Sequence, residues 1–178
     1  MEEFFIIGRG KNVTKYIGQR TKITTEEIKE RYITLGKNNE KAAKVLEQQG
    51  LYNEAVFMYI QAMEKKIKGY ICGKINSENP YFARKIREMG HSLDSSVDFL
   101  IEILSGNDEN LKAQLSKLLR EEVFQNLRFS TLYNECRYPR FDSRTNTYSV
   151  VHITKIDCKR VADMNMLLDK YMCGFDRL

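Results

Sequence analysis

Proline is scarce in this chain, with Pro80 and Pro139 alone among 178 residues. Proline removes a backbone donor and breaks helix interiors, so its scarcity leaves long helices uninterrupted, and both prolines fall where a helical pattern is already ending. Histidine is as rare, represented by His91 and His152, and the four cysteines, Cys72, Cys136, Cys158 and Cys173, lie far apart without a CxxC pair. That set has no zinc-ligand spacing, so no metal site is expected and no cofactor is implied. The simplest reading is of reduced, partly buried thiols in a cytoplasmic protein, while distance in sequence leaves a disulfide open. No span approaches the roughly 20 apolar residues of a membrane helix. The apolar run Phe4 to Ile7 has neither the basic leader nor the small-residue cleavage site of a secretory signal.

What is present is globular material. Hydrophobic residues make up 42% and charged residues 30%, with ten Tyr and nine Phe, too much apolar and aromatic substance for a disordered chain. The length suits one domain with its own core. The net charge of +5 is unevenly spread. Glu64 to His91 and Arg128 to Arg160 each hold seven Lys/Arg against three Asp/Glu, whereas Ser92 to Leu127 holds three against seven. Two basic segments thus flank an acidic one, which fits an anion-binding surface or charge complementarity within the molecule or a dimer.

Periodicity points to an all-α chain. Residues 1–23, with Gly8, Gly10 and Gly18 among Lys and Arg, lack a helical period and read as a basic arm with a short strand at Phe4 to Ile7. Gly8-Arg-Gly-Lys11 has the makings of an anion nest but lacks the spacing of a P-loop. The helical domain then occupies 24–178. Thr24 and Glu27 have capping-box spacing, Gly36 is expected to interrupt the helix they start, and Gly50 to end its continuation from Asn38 to Gln49. Only three residues lead into the strongest pattern, in which Ala55, Met58, Tyr59, Ala62, Met63, Ile67 and Tyr70 share a face, so the first two helices should form an antiparallel hairpin. A short helix from Tyr81, one from Leu93 to Leu104 and a broken region from Leu111 to Cys136 follow. A last helix runs from Asp157, taken as its N-cap, to Met172. The β-branched run Tyr148 to Ile153 suggests a strand pairing with Phe4 to Ile7. The whole reads as an up-and-down bundle of four to five main helices with short extra ones.

Particular residues narrow this. Lys41-Ala-Ala-Lys-Val-Leu46, Gly50-Leu-Tyr-Asn-Glu-Ala55, Gln61-Ala-Met-Glu64 and Ile67-Lys68 resemble the opening hairpin of HEPN domains. His91-Ser-Leu93 is similar to that family's Thr-His-Asp-Leu segment, with Ser92 in place of the Asp, and Tyr133-Asn-Glu-Cys-Arg137-Tyr138-Pro139 resembles its Tyr-x-x-x-Arg-Tyr-Pro segment. The matches run in order from about Asn38 to Cys173. The resemblance implies a helical bundle, frequent homodimers, and roles in nucleotide binding, RNA cleavage, toxin–antitoxin pairs or antiviral defence. It also implies, as one option, an interaction module partnering a nucleotidyltransferase-like protein.

Ribonuclease members of that family carry an Arg-x4-6-His motif, whose cation and base serve the scissile phosphate and the 2′-hydroxyl. Arg84 and His91 meet the spacing formally, as candidate catalytic residues of a metal-independent ribonuclease. Their early position argues against it, and His91 also suits a capping or packing role at the start of the Leu93 helix. Arg144 and His152 lie late enough in the chain, but seven residues separate them. For nucleotide or RNA binding the candidates are Tyr133, Arg137, Tyr138, Arg140 and Arg144. Tyr133 and Arg137 would share a helical face, the Arg holding a phosphate while a Tyr stacks on a base. The structural alternative pairs Arg137 with a carboxylate inside the bundle and buries Tyr138 in the core as the chain turns at Pro139.

Overall fold

The computed structural model describes residues 21–76 and 79–175. Residues 1–20 of the basic arm, with its expected strand at Phe4 to Ile7 and the Gly8 to Lys11 segment, lie outside the described residues, and 21–23 are irregular and exposed. Helix α1 spans Thr25–Gln48 and begins with the expected capping box, in which the Glu27 amide donates to Thr24 Oγ1 and the Thr24 amide to Glu27 Oε2. It ends before Gly50, whose φ of 77° is costly for any residue with a Cβ. Helix α2, Tyr52–Lys74, then runs back along α1 as the antiparallel hairpin that the three-residue corner demands.

Gly36 does not interrupt α1. A Cβ there would sit 2.9 Å from Lys66 Cγ and 3.1 Å from the Ala62 carbonyl oxygen, so the glycine is where the two helices come close. Its role is steric admission, not chain breaking, and a sequence cannot separate the two before the partner is known.

Helix α2 is the hub. It packs on α1, on α4 (Leu93–Ser105), on α6 (Phe129–Glu135) and on α7 (Lys155–Met172), which explains why burial runs almost all round it and includes polar side chains. Lys66 illustrates the consequence. Its ammonium, almost fully buried, donates to Glu40 of α1 at 2.6 Å, and to Asp169 at 2.7 Å and Asn165 at 3.0 Å, both on α7, so one charge ties three helices together. Burial alone would raise the Glu40 pKa, but hydrogen bonds from Lys44 and Lys66 and the Lys66 charge bring it down to about 2.

Pro80 opens a helix instead of closing one: it is the first residue of α3, Pro80–Glu88, behind an Asn79 side chain that accepts from the Tyr81 amide. The broken region resolves into α5, Glu109–Ser116, a π-helical stretch at Lys117–Val123, and then α6. Between the last two, Gln125 and Asn126 adopt positive φ. Helix α7 is capped by Thr154 and not by Asp157; Asp157 is the third residue of that helix and the other half of a second capping box.

The run from Tyr148 supplies a strand only as far as Ser149. This strand, β2 (Thr147–Ser149), pairs antiparallel with β1 (Arg140–Asp142), while Val150 to Ile153 are not strand. Asn53 holds those residues instead, donating to the Val151 carbonyl at 2.8 Å and accepting from the Ile153 amide at 2.9 Å. The expected pairing with Phe4 to Ile7 involves residues outside those described. The outcome is a mainly helical bundle carrying one small hairpin, and among the described residues no helix is long and apolar enough to cross a membrane.

Candidate functional site

The end of α6 assembles an arginine inside a group of rings. Two Asp94 oxygens accept from the Phe129 and Ser130 amides, the first donors of α6, which lack partners within their own helix. Asp94 stands on the first turn of α4, so this contact fixes where α6 starts relative to α4. Two residues beyond the helix, and so not on a helical face shared with Tyr133, Arg137 folds back over it. The guanidinium carbon lies 4.4 Å from the Tyr133 ring centre, 4.8 Å from that of Tyr138 and 4.9 Å from that of Phe57, which α2 contributes. Its Nε donates to the Tyr133 carbonyl and one terminal nitrogen to Asn134 Oδ1, both at 3.3 Å.

This arrangement differs from the structural alternative drawn from the sequence. Among the described residues no carboxylate pairs with Arg137, and Tyr138 is 60% exposed, so it is not a core residue. Phe57 and Tyr133 themselves pack at 5.2 Å. Three rings thus surround the guanidinium, and two of its nitrogens already donate to Tyr133 and Asn134, which leaves a terminal nitrogen for the paired donation that recognises carboxylate or phosphate.

His91 reaches the same ring group. Its imidazole lies nearly parallel to Tyr133, 9° between planes and 6.3 Å between centres. It does not cap α4, because Ser92 does that by accepting from the Ser95 amide, and the His91 side chain is 70% exposed. Beneath it is a buried polar group on α2. Lys68 donates to Glu64 at 2.7 Å and also to the Gly90 carbonyl, Gln61 donates to the other Glu64 oxygen at 2.9 Å, and His91 Nδ1 stands 3.7 Å from Glu64. Glu64 is 2% exposed, so its charge is supported by the ammonium and the amide together.

The remaining candidates scatter. Arg84 is exposed on α3 and pairs with Glu88 at 3.8 Å, and no contact among the described residues joins it to His91. Arg140 pairs with Glu135 at 2.9 Å, and Arg144 lies 3.8 Å from Asp142 at the hairpin turn. His152 sits exposed in the segment that Asn53 clamps. Thus His91, Tyr133, Arg137 and Tyr138 gather at one place, Arg140 and Arg144 continue from it along the hairpin, and Arg84 stays apart. Phe57 and Asp94 escape a reading by motif, whereas Glu64 and Lys68, a carboxylate and an ammonium four apart, stand in the segments that carry the family resemblance.

Among the described residues no group of His, Cys, Asp or Glu is placed to hold a metal ion. The cysteines are all free; burial pushes the Cys72, Cys136 and Cys158 thiols up to about 11, which makes them poor nucleophiles.

No curated protein and no solved structure matches the chain. The HEPN domain model matches residues 29–164, a span that begins in α1, covers the hairpin corner, Glu64, His91 and the Arg137 ring group, and ends in α7. A match over most of the length, on a helical bundle in which the family's segments lie in order, means that this chain belongs to the HEPN family, which points to a nucleotide- or RNA-related function.

Proposed function

We propose that this protein binds a nucleotide or RNA, with a phosphate on the edge of the Arg137 guanidinium and a base against the rings of Tyr138 or Tyr133 and His91. The observation that carries the reading is that Arg137 is confined by three aromatic rings and has no carboxylate partner among the described residues. A free arginine samples many rotamers and loses that freedom on binding, whereas one already stacked loses less, so its hydrogen bonds to an anion cost less to form.

Fluorescence titration with labelled nucleotides and short RNAs at several salt concentrations tests this. Affinity should fall as salt rises, and an Arg137→Ala, Arg140→Ala variant should bind much more weakly at every salt concentration. Equal binding by that variant, or no binding at low salt, counts against the proposal.

The contact between His91 and Glu64 favours a second reading, a metal-independent ribonuclease. With Nδ1 on the side of the buried Glu64 carboxylate, 3.7 Å away, Nε2 is the nitrogen that would take the proton of a ribose 2′-hydroxyl. The resulting oxyanion attacks phosphorus, the bond to the 5′-oxygen breaks, that oxygen takes a proton from water, and a 2′,3′-cyclic phosphate remains, Arg137 stabilising the charge that builds on the phosphoryl oxygens. Cleavage that persists undiminished in His91→Ala would remove this assignment.

A further inference from the structure

We infer that the β1–β2 hairpin is a stacking platform for an unpaired polynucleotide strand, so that the ligand of the Arg137 site is a run of several nucleotides and not a mononucleotide. The inference rests on the reading that Arg137 takes a phosphate. It begins from two large side chains that lie outside the core. Phe141 and Tyr148 are cross-strand partners, so they share one face of the hairpin, with ring centres 5.1 Å apart. They are 49% and 72% exposed, and the two strands pair with each other without a comparable contact to any helix. An isolated two-stranded hairpin is barely stable in water, and leaving two large rings on its open face adds nothing to the core.

The surroundings identify what such rings would meet. Arg140 lines two neighbouring clefts. One, of about 430 Å³, includes Ser130, Asn134 and Tyr138; the other, of about 480 Å³, includes Phe141, Arg144 and Ser149. Hydroxyls, an amide, two guanidinium groups and the carboxylates of Glu135 and Asp142 furnish these walls beside the rings, with no pocket of aliphatic side chains that would seat the apolar anchor of a protein partner. Arg140 and Arg144 carry local partners in Glu135 and Asp142, but Arg144 is 91% exposed and its partner lies at the long distance of 3.8 Å. From Arg137 through Tyr138, Arg140 and Phe141 to Arg144, cations and rings follow one another along the chain and onto the hairpin. Alternating phosphates and bases have the same order, and a base of any identity can stack on an exposed ring.

Fluorescence anisotropy tests the inference, with a uridine mononucleotide, an oligouridylate of about 12 nucleotides, its deoxythymidylate counterpart and an RNA duplex. The expected result is that the single strands bind at least about tenfold more tightly than the mononucleotide, and the duplex less well than the ribo strand. Phe141→Ala, Tyr148→Ala should lose about tenfold or more of the oligonucleotide affinity while leaving the mononucleotide unchanged, and Phe141→Tyr, Tyr148→Phe, which keeps both rings, should bind as the native protein does. Comparison of the ribo and deoxy strands identifies whether the 2′-hydroxyl is read.

If the mononucleotide binds through Arg137 but the long strand binds no better and the ring variant changes nothing, the platform is wrong and the Arg137 reading stands. If neither ligand binds, both fall. If the ring variant instead abolishes self-association in sedimentation velocity with strand affinity intact, the face belongs to a contact between copies and the inference is overturned.

Discussion

Arg137 lies 4.4 Å from the centre of the Tyr133 ring and donates from Nε to the carbonyl oxygen of that same tyrosine, so ring and backbone of one residue hold the cation from two directions. Exposed cation–π contacts contribute only about 0.5–1 kcal/mol each. Their value here is orientation. Arg137→Ala should therefore leave thermal stability nearly unchanged and reduce nucleotide affinity by about 10- to 100-fold, the loss expected for charge-assisted hydrogen bonds. Arg137→Lys should recover only part of it, since an ammonium has no planar fork to lie on the rings. Calorimetric titration beside a thermal melt separates the two effects.

Asp94 offers a test at a distance from the ligand. It accepts from two amides at the start of α6, and without it these donors lack a protein partner. Asp94→Ala should cost about 1–2 kcal/mol of stability in urea. It should also weaken ligand binding although Asp94 lies outside the Arg137 ring group, because α6 carries Tyr133 and, just beyond its end, Arg137. Unchanged affinity in a destabilised variant would show that α6 keeps its place by packing alone.

The close approach of α1 and α2 makes Gly36 sensitive to size. Gly36→Val should destabilise the fold by about 1–3 kcal/mol, since the β-branched side chain meets Lys66 and the Ala62 carbonyl oxygen. Were Gly36 a helix breaker, the same substitution would stabilise. Urea midpoints distinguish the two signs.

Acid should loosen the joint between α1, α2 and α7. The Glu40 pKa in the folded protein, about 2, lies below its ordinary 4.5, so Glu40 contributes stability above that ordinary value and loses it as the pH falls towards 2. Glu40→Gln should be less stable than the native protein near neutrality and should lose less on acidification from about pH 5 to pH 2. Urea unfolding across that window, followed by circular dichroism, gives both slopes.

Much of this was legible in the residues. The three-residue corner at Gly50, the apolar face from Ala55 to Tyr70 and the run from Leu93 to Leu104 dictate helices whoever their neighbours are, and these appear where periodicity puts them. What could not be read depended on a partner. Gly36 looks like a break until α2 is beside it, and Asp157 looks like a cap until Thr154 is seen to hold that position. The Tyr148 strand finds Arg140 to Asp142, a nearby segment with no strong strand pattern. In the site, the four-residue spacing of Tyr133 and Arg137 announces their contact. Phe57 comes from a different helix and His91 from the loop before α4, so only the folded bundle reveals that they meet the same ring.

On this reading the Arg137 ring group receives both a phosphate and a base. Nuclear magnetic resonance tests it most directly, by following the Arg137 Nε–H signal and the ring signals of Tyr133, Tyr138 and His91 while a nucleoside monophosphate is added, with inorganic phosphate as the comparison. Both ligands should shift the Arg137 signal, and the nucleotide alone should also shift the rings. Saturable binding that leaves the Arg137 signal unmoved while residues elsewhere respond would contradict it.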